Sequence, residues 1–535
     1  MIPLLTTAVI LLAAAVVYLL LDSRRQRDQL VCLDQRRQDA ERERDKIQNA
    51  LNSSVDPAVA KLIVEENIHN EKRSLSVLFS DLVGFTPSLE KSQPETIISE
   101  LNQLFTVMTP VITRFKGHID KFIGDGLMAE FGVPHTAHHH PLLAVLAALS
   151  MQRRLKTYRF PWKMRLGVAS GVSFVGLMGS RLRKNYTAIG DTVNLAARLQ
   201  ALCPVGSVCV DEAIFNATRR WLDIRRLRSG LKPEAVRKIE LQLKKLERVI
   251  EEDPTAKDCL EAASLAVSLG DMQAALRYHK MALELDPKQR RPVERAISTL
   301  LSGEERAFLD IKGKKDRVAV YEVLGLKDFL MPERVSRRVR HTYQWLAADI
   351  PLLEEWVLSI EAIEGRLGHA QVTAAISGAV ADGMGLGPEQ VKEAFLAGYY
   401  DDVGKLNVSE HLLCYEGRLS DLPQTDQDAI HSHVTESEKV LAGMQIPVTP
   451  GILRAIRQHH ERFDGNGYPE GLKGGDIDLV GRIVRVADTY EALTSWRSYQ
   501  EALTRESALV EICRDISDGA IDPDVGKVFL EVMAR

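Results

Sequence analysis

The stretch Ile119-Asp120-Lys121-Phe122-Ile123-Gly124-Asp125-Gly126-Leu127-Met128-Ala129-Glu130-Phe131 sets two apolar, strand-like runs on either side of Gly-Asp-Gly. Glycine accepts the backbone angles of a tight turn, so this run predicts a β-hairpin with Asp125 at its exposed tip. Upstream, Leu75 to Phe79 (LSVLF) ends in Ser80-Asp81 and then Leu82-Val83-Gly84-Phe85-Thr86. An Asp at the end of a buried strand, followed by a glycine turn, can hold a hard cation beside exposed amides. Downstream, Asn185-Tyr186-Thr187-Ala188-Ile189-Gly190 leads into Asp191-Thr192-Val193-Asn194-Leu195-Ala196-Ala197-Arg198-Leu199. This predicts a helix after Gly190, with Asp191 or Thr192 near its cap. Asn194 and Arg198 are four apart, so they share one helix face and can grip one group. Each piece alone is also an ordinary turn or surface feature. Together, two carboxylates at strand ends that can meet Mg²⁺ suit the handling of a nucleoside triphosphate.

The surrounding chain has 535 residues, two to four domains at roughly 100–200 residues each. Lys and Arg number 69 against 73 Asp and Glu, a net charge of −4, which gives no sign of a nucleic-acid binder. The six cysteines (Cys32, Cys203, Cys209, Cys259, Cys414, Cys513) form no C-x-x-C pair, which excludes a zinc ribbon or disulfide scaffold and suits a reducing compartment. Residues Ile2 to Leu21 carry no charge and are followed by Arg24, Arg25 and Arg27. Twenty residues rise about 30 Å as a helix, so a membrane anchor is expected, with the rest of the chain cytoplasmic. A cleaved signal peptide is the alternative, but it would carry its basic residues ahead of the apolar run. From Asp22 to about Ser53 the chain is charged and helix-favouring, either a short coiled coil or a solvated helical stalk.

The strand motif, the Lys-Phe-x-Gly-Asp hairpin and the Val-Asn-x-Ala-x-Arg helix occur in order, and together they resemble the catalytic domain of class III adenylyl and guanylyl cyclases. The resemblance implies that Asp81 and Asp125 hold two metal ions, Mg²⁺ or Mn²⁺. One would activate the ribose 3′-hydroxyl and the other steady the triphosphate. It also implies that Lys121 and Thr187 read the purine, that Asn194 orients the ribose, and that Arg198 stabilises charge on the α-phosphate. A lysine donor suits adenine N1, and Thr187 can accept from the 6-amino group, whereas guanine inverts both demands. ATP is therefore the expected substrate. In this family the metal aspartates and the purine-reading residues of one site come from different subunits, so a homodimer is expected.

After Arg219 a helix-rich stretch runs from about Lys232 to Leu301. Asp253-Pro254 and Asp286-Pro287 bracket a segment that resembles a tetratricopeptide repeat, with a plain helical hairpin as the alternative. Beyond it, Asp310 to Lys314 and Val318 to Val323 resemble closing strands of a cyclase domain, which would make the helices an insertion.

From about Phe329 the pattern is helical and dense in His and Asp: His369, Asp401-Asp402-Val403-Gly404-Lys405, His433, His459-His460, the run Asp464-Gly465-Asn466-Gly467-Tyr468-Pro469, and Asp488. Several such residues spread over helices are what a dinuclear metal site needs. Their order resembles the HD-GYP phosphodiesterases, whose usual substrate is cyclic di-GMP. That resemblance implies His369, Asp402, His433, His459, His460 and Asp488 as ligands of Fe or Mn, with Lys405 on a phosphate. Where the family has a His-Asp pair this chain has Asp401-Asp402, and Ser437 replaces a family glycine. Either a phosphodiesterase with altered metal preference or a domain that binds without hydrolysing follows. Six exposed-loop positions around His135, His138, His139 and His140 are read as ordinary loop residues.

The expected architecture is thus a transmembrane anchor (1–22), a helical linker (23–70), an α+β cyclase domain with a ferredoxin-like βαββαβ core (71–325) interrupted by helices at 232–301, and an all-α HD-type domain (326–535). The expected activity is a homodimeric adenylate cyclase held at the inner membrane by a single span. A cyclic di-GMP phosphodiesterase or cyclic-dinucleotide-sensing scaffold is the alternative.

Overall fold

The structure is a computed structural model that describes residues 69–85, 93–180, 184–227, 233–252, 254–269, 272–291, 293–294, 319–415, 417–443, 448–495 and 502–534, with scattered positions between 35 and 60. Within residues 70–535 the chain forms one compact unit. At its centre lies β1 (Glu71–Val83), antiparallel to β3 (Gly126–Phe131) on one side and to β4 (Lys163–Gly179) on the other. Leu75 and Val77 face one apolar core while Leu78 and Leu82 face another. A strand covered on both faces carries apolar side chains on both, which is why Val77, Leu78 and Phe79 run together without alternation.

Between β1 and β3 come α1 (Pro94–Arg114) and β2 (Gly117–Ile123), and β2 pairs with β3 across the Gly124-Asp125 turn. Next, α2 (His140–Thr157) leads into β4, completing a β-α-β-β-α-β order with the strands arranged 2-3-1-4 in space. β4 then turns back as β5 (Lys184–Ile189), and α3 (Asp191–Leu202) crosses the sheet. Two glycines of β4 admit that helix. A Cβ on Gly167 would lie 2.2 Å from the Gln200 amide nitrogen, and one on Gly171 would lie 2.6 Å from Thr192 Oγ1. α3 can therefore lie flush on the sheet, which fixes the height of Asn194 and Arg198 above β4.

The sheet continues through β6 (Val208–Val210), α4 (Glu212–Thr218) and β7 (Leu222–Leu227). Three helices follow in the chain: α5 (Pro233–Glu252), α6 (Ala256–Leu269) and α7 (Met272–Leu285). They share a small core of their own, Cys259, Ala262, Ala266, Ala275, Tyr278 and Ala282. Only after them does β8 (Val320–Leu326) enter the sheet, antiparallel between β6 and β7. The run Asp310 to Lys314 lies outside the described residues, and so do Asp253, the anchor segment and most of the linker.

One expectation is corrected here. Among the described residues no helix is long and apolar enough to cross a membrane. The longest, α1 and α5, carry Glu95, Glu100 and Arg114 in the one and Lys244, Lys245, Glu251 and Glu252 in the other. Such helices cover a sheet or one another with one apolar face and keep charge on the opposite face. The fold class is a cyclase-like sheet followed by a helical domain, and neither the transmembrane helix nor the single-pass inner-membrane placement is supported.

The helical domain opens with α8 (Arg337–Asp349), α9 (Glu354–Glu364), α10 (His369–Gly383) and α11 (Pro388–Tyr400). It continues with α12 (Glu410–Leu413), α13 (Gln424–His431), α14 (His433–Gly443) and α15 (Pro450–Gln458). It closes with α16 (Leu479–Thr494), α17 (Arg505–Ser517) and α18 (Pro523–Ala534). Residues 369 to 381 of α10 are buried nearly all round, which marks it as the central helix. Its small side chains let neighbours approach: a Cβ on Gly398 of α11 would meet Ser377 Oγ at 2.8 Å.

α9 belongs to two cores at once. Val357 and Ile360 pack into the helical domain, while Leu358, Ala362 and Ile363 pack into the sheet domain. At its start, Glu355 accepts hydrogen bonds from Arg114 of α1 (2.8 Å) and from Nε and Nη2 of Arg154 of α2 (2.8 and 2.7 Å). Arg114 also lies 4.1 Å from the ring centroid of Trp356. Glu355→Ala leaves two largely sequestered guanidinium groups without their shared acceptor. It is expected to cost about 1–3 kcal/mol, read as a lower urea midpoint at unchanged slope.

Candidate functional site

Asp81 is carried by the last turn of pleat in β1 and Asp125 by the β2–β3 hairpin. The two elements meet because Gly126 has no side chain: a Cβ there would sit 2.0 Å from the Ser80 carbonyl oxygen. The Leu127 amide then donates to Ser80 Oγ at 3.1 Å, locking the hairpin beside Asp81. Burial raises the Asp81 carboxyl above the usual range and the negative charge of Asp125 raises it further, against Arg165 and Gln200. A part-buried carboxylate raised by a second carboxylate beside it is a donor set suited to a divalent cation.

Lys121 and Thr187 come together across β2 and β5, with Lys121 Nζ 3.4 Å from Thr187 Oγ1. Asp120 joins them. The Thr187 hydroxyl donates to Asp120 Oδ2 at 2.5 Å, and Lys121 Nζ lies 3.2 Å from the same oxygen. Beneath them the buried Glu130 of β3 accepts from the Ala188 amide at 2.7 Å. Burial first, then Asp120, pushes the Glu130 carboxyl up to about 7. Asn194 stands exposed and Arg198 half-buried on α3.

In the helical domain His369, Asp401, Asp402, His433, His459 and His460 converge. His369, Asp401 and Asp402 form one ligand group, and Asp402, His433, His459 and His460 a second, so Asp402 is common to both. Its Oδ2 lies 3.3 Å from His369 Nε2 and its Oδ1 lies 3.4 Å from His433 Nε2. Each oxygen thus faces a different group, the disposition a bridging carboxylate requires. Asp488 approaches from α16, 3.8 Å from His460 Nδ1.

The imidazoles are held from behind. His433 Nδ1 donates to the Ile430 carbonyl (2.7 Å) and His459 Nδ1 to the Ile456 carbonyl (2.6 Å). His369 Nδ1 lies 2.6 Å from Glu491 Oε2, which Arg366 also holds, while Arg334 holds Glu491 Oε1. Such partners fix the ring and leave Nε2 for a metal. The Nε2 atoms of His369, His433 and His459, with Asp401 Oδ2, are buried and have no hydrogen-bond partner. Four orphaned polar atoms turned inward would each cost about 1–3 kcal/mol, so these residues fit metal ions. Burial pushes His433 down to about 3 and, with His459 and His433 nearby, holds His460 well below its usual range. Neutral imidazole is the ligating form, which His433 and His460 favour, whereas His369, held well above its usual range by Glu491 and Asp401, must release a proton to bind a metal.

Several of these partners escaped the sequence. Glu491 is 122 positions from His369 and stands in no motif. Glu361 accepts from the amides of Gly368 and Ala370 (2.9 and 2.7 Å), capping α10 where His369 begins it. Lys405, expected on a phosphate, has its Nζ 2.8 Å from both Asp402 Oδ2 and Glu364 Oε1. Tyr468 stacks 4.0 Å from His431 and 4.8 Å from His460, closing one side of the site. Asp464 is tied instead to Arg462 and the Asn466 amide. Ser437, in place of a glycine, accepts from the Gly404 amide at 3.0 Å and donates to the His433 carbonyl at 2.8 Å. The histidine loop also differs from expectation. His135 and His138 are exposed, but His140 begins α2, is buried, and lies 2.8 Å from Ser76 Oγ.

Because both groups use Asp402, Asp402→Ala is expected to lose both metal equivalents, whereas His433→Ala loses one. Metal content after dialysis checks this, with the melting curve of each metal-stripped protein as the folding control.

Comparison with known proteins separates the two parts. The family model for the adenylate and guanylate cyclase catalytic domain matches residues 68–246, and that for the HD domain matches residues 353–525. A cyclic di-GMP phosphodiesterase response regulator, RpfG, of Xanthomonas campestris is 38% identical over 176 residues, 33% of this chain and 43% of that one. A 3′3′-cGAMP-specific phosphodiesterase of Vibrio cholerae is 32% identical over 165 residues, 30% of this chain and 36% of that one. The chain therefore spans less than half the length of these curated relatives. The solved structure of the adenylyl cyclase CyaB from P. aeruginosa aligns with 49% of this chain and all of its own, at 20% identity and a TM-score of 0.33. The chain joins a catalytic domain of the adenylate and guanylate cyclase family to an HD domain.

Proposed function

We propose that the cyclase domain converts ATP to cyclic AMP and pyrophosphate as a homodimer. The observation that carries this reading is the donor–acceptor pair Lys121 and Thr187, 3.4 Å apart on one side of the sheet domain. The lysine offers N–H to adenine N1 and the threonine oxygen can accept from the 6-amino group, whereas guanine presents an N1–H that a lysine donor cannot accept. Asp81 and Asp125 would hold the divalent ions, which supply Lewis acidity to the 3′-hydroxyl and charge neutralisation to the triphosphate. Asn194 orients the ribose and Arg198 offsets charge that develops on the α-phosphate. Val172, Phe174 and Ile189 are apolar and more than half exposed on the paired strands β4 and β5. A monomer gains nothing from such a stripe, and a second copy of the chain would cover it.

For the HD domain, the shared Asp402 and the inward-facing imidazoles favour a dinuclear centre that takes a cyclic dinucleotide phosphodiester such as cyclic di-GMP. Asp401 occupies the position of a family histidine and still turns an oxygen to within 3.5 Å of His369 Nε2. Its carboxylate makes that half of the centre richer in oxygen and suited to a harder ion.

The test supplies the full chain with Mn²⁺ or Mg²⁺ and either ATP or GTP, and follows cyclic nucleotide and pyrophosphate. Cyclic di-GMP hydrolysis is followed in parallel. Cyclic AMP from ATP, lost in Asp125→Ala and reduced about 10²–10³-fold in Arg198→Ala, is the expected result. Asp81→Ala and Asn194→Ala are each expected to be inactive alone and to regain one intact site of two when mixed. Mixed dimers that form but stay inactive would refute the shared site. Cyclic GMP as the main product would refute the choice of base.

A further inference from the structure

Adjacent residues of a strand point to opposite faces, so Asp120 and Lys121 should not both reach Thr187. They do so because β2 is irregular there: Ile119 pairs with Ala129 and Lys121 with Met128, leaving Asp120 as the extra residue of a bulge. A bulge re-aims a side chain at the cost of one ladder pair. Here it turns a carboxylate under the sheet, with the Asp120 side chain fully buried against Lys121 and Thr187.

This matters because a threonine hydroxyl is ambivalent, able to donate or accept by rotation. Alone, Thr187 could accept from the 6-amino group of adenine or donate to O6 of guanine, and so would not choose between them. Asp120 Oδ2, at 2.5 Å, takes the hydroxyl proton. The carboxylate also sits 3.2 Å from Lys121 Nζ, anchoring the lysine beside it. Glu130 holds the next residue of β5 through the Ala188 amide, so the strand cannot slide to release the contact.

We propose that Asp120 is the positioning residue that sets base specificity: it pins the Thr187 hydroxyl as an acceptor and so makes the pocket read adenine. This rests on the adenylate cyclase reading and deepens it. Asp120 acts through Thr187 and Lys121 without touching the base. An acceptor-only residue at position 187 would have no need of it.

The experiment measures kcat/KM of the full chain for ATP and for inosine triphosphate, which has nearly the shape of ATP and the N1–H and O6 polarity of guanine. Asp120→Asn is nearly isosteric, but its amide can donate or accept, so the hydroxyl is free to turn. The ATP:ITP ratio is expected to fall about tenfold. Adding Thr187→Asp to Asp120→Asn, which restores an obligate acceptor, is expected to restore the ratio. A merely structural Asp120 would lower both rates together and leave the ratio unchanged, which would overturn the proposal. Thr187→Val with an unchanged ratio would overturn it too. The same ratio is measured by equilibrium titration of both nucleotides with each variant. If the wild-type chain makes no cyclic nucleotide, the catalytic reading fails. The binding ratio then still decides the role of Asp120: equal affinities for the two nucleotides overturn it, and an ATP preference lost in Asp120→Asn sustains it.

Discussion

The carboxylate of Glu355, shared by Arg114 and Arg154, is the contact on which the relation between the two domains depends. It sits at the start of a helix whose middle is divided between two apolar cores. The helix end is divided as well. Glu361 caps α10 through the Gly368 and Ala370 amides, and Glu364 holds Lys405 beside Asp402. A rigid helix of eleven residues thus has one end clamped between α1 and α2 of the cyclase domain and the other inside the wall of the HD centre. Interiors are packed too densely for α9 to shift against one core without disturbing the other. Lys405, which holds Asp402, is thus joined through Glu364 to the helix that packs against the cyclase domain.

Buried charge recurs at each site, and its cost explains its arrangement. A carboxylate taken out of water is expensive unless it is paired or hydrogen-bonded. Glu491 meets that demand with His369, Arg334 and Arg366, and Glu361 with two backbone amides. The two Glu carboxyls respond differently. Burial and repulsion from Glu491 leave Glu361 pushed up to about 7, whereas its cationic neighbours outweigh burial and hold Glu491 well below the usual range. Ionisation is held more firmly where an imidazole has to be fixed than where a helix start only needs capping.

The sheet was legible because its signals are local. Gly-Asp-Gly between apolar runs makes a hairpin wherever it occurs, and the glycine before Asp191 starts a helix whatever lies beneath it. The same locality let the spacing of Asn194 and Arg198 be read as one helix face. What could not be read depends on contacts far apart in sequence. Glu491 lies on α16 in a helical run like any other, and nothing near it announces that His369 is its partner. Asp120 looks like a polar residue at a strand edge, because a bulge depends on the partner strand's register, which one strand alone does not contain. His140 looked like its three neighbours in a histidine-rich loop. Burial against Ser76 separates it from them and pushes it down to about 4. The apolar run before Asp22 satisfies a membrane rule by its length and flanking arginines; it lies outside the described residues, among which no helix is long and apolar enough to cross a membrane.

Asp401 shows how a departure from a motif can be absorbed by its surroundings. Exchanging imidazole for carboxylate adds a negative charge to a buried site that already contains Asp402 and Glu491. Burial raises Asp401, while His369 draws it back toward ionisation. His369 is in turn held well above its usual range, because Glu491 and Asp401 outweigh its own burial. Lys405 and Arg366 stand close by, and both contribute to holding Asp402 well below the usual carboxylate range. The added charge of Asp401 is therefore met within the ligand set, by His369 and His459, while Lys405 and Arg366 offset Asp402. On the proposed reading the two halves of the centre then differ in kind. One is dominated by the imidazoles of His433, His459 and His460, and the other by the carboxylates of Asp401 and Asp402. An oxygen-rich half prefers a harder ion than an imidazole-rich half. A centre built this way would distinguish its two metals by ligand chemistry, with Asp402 as the one residue obliged to serve both.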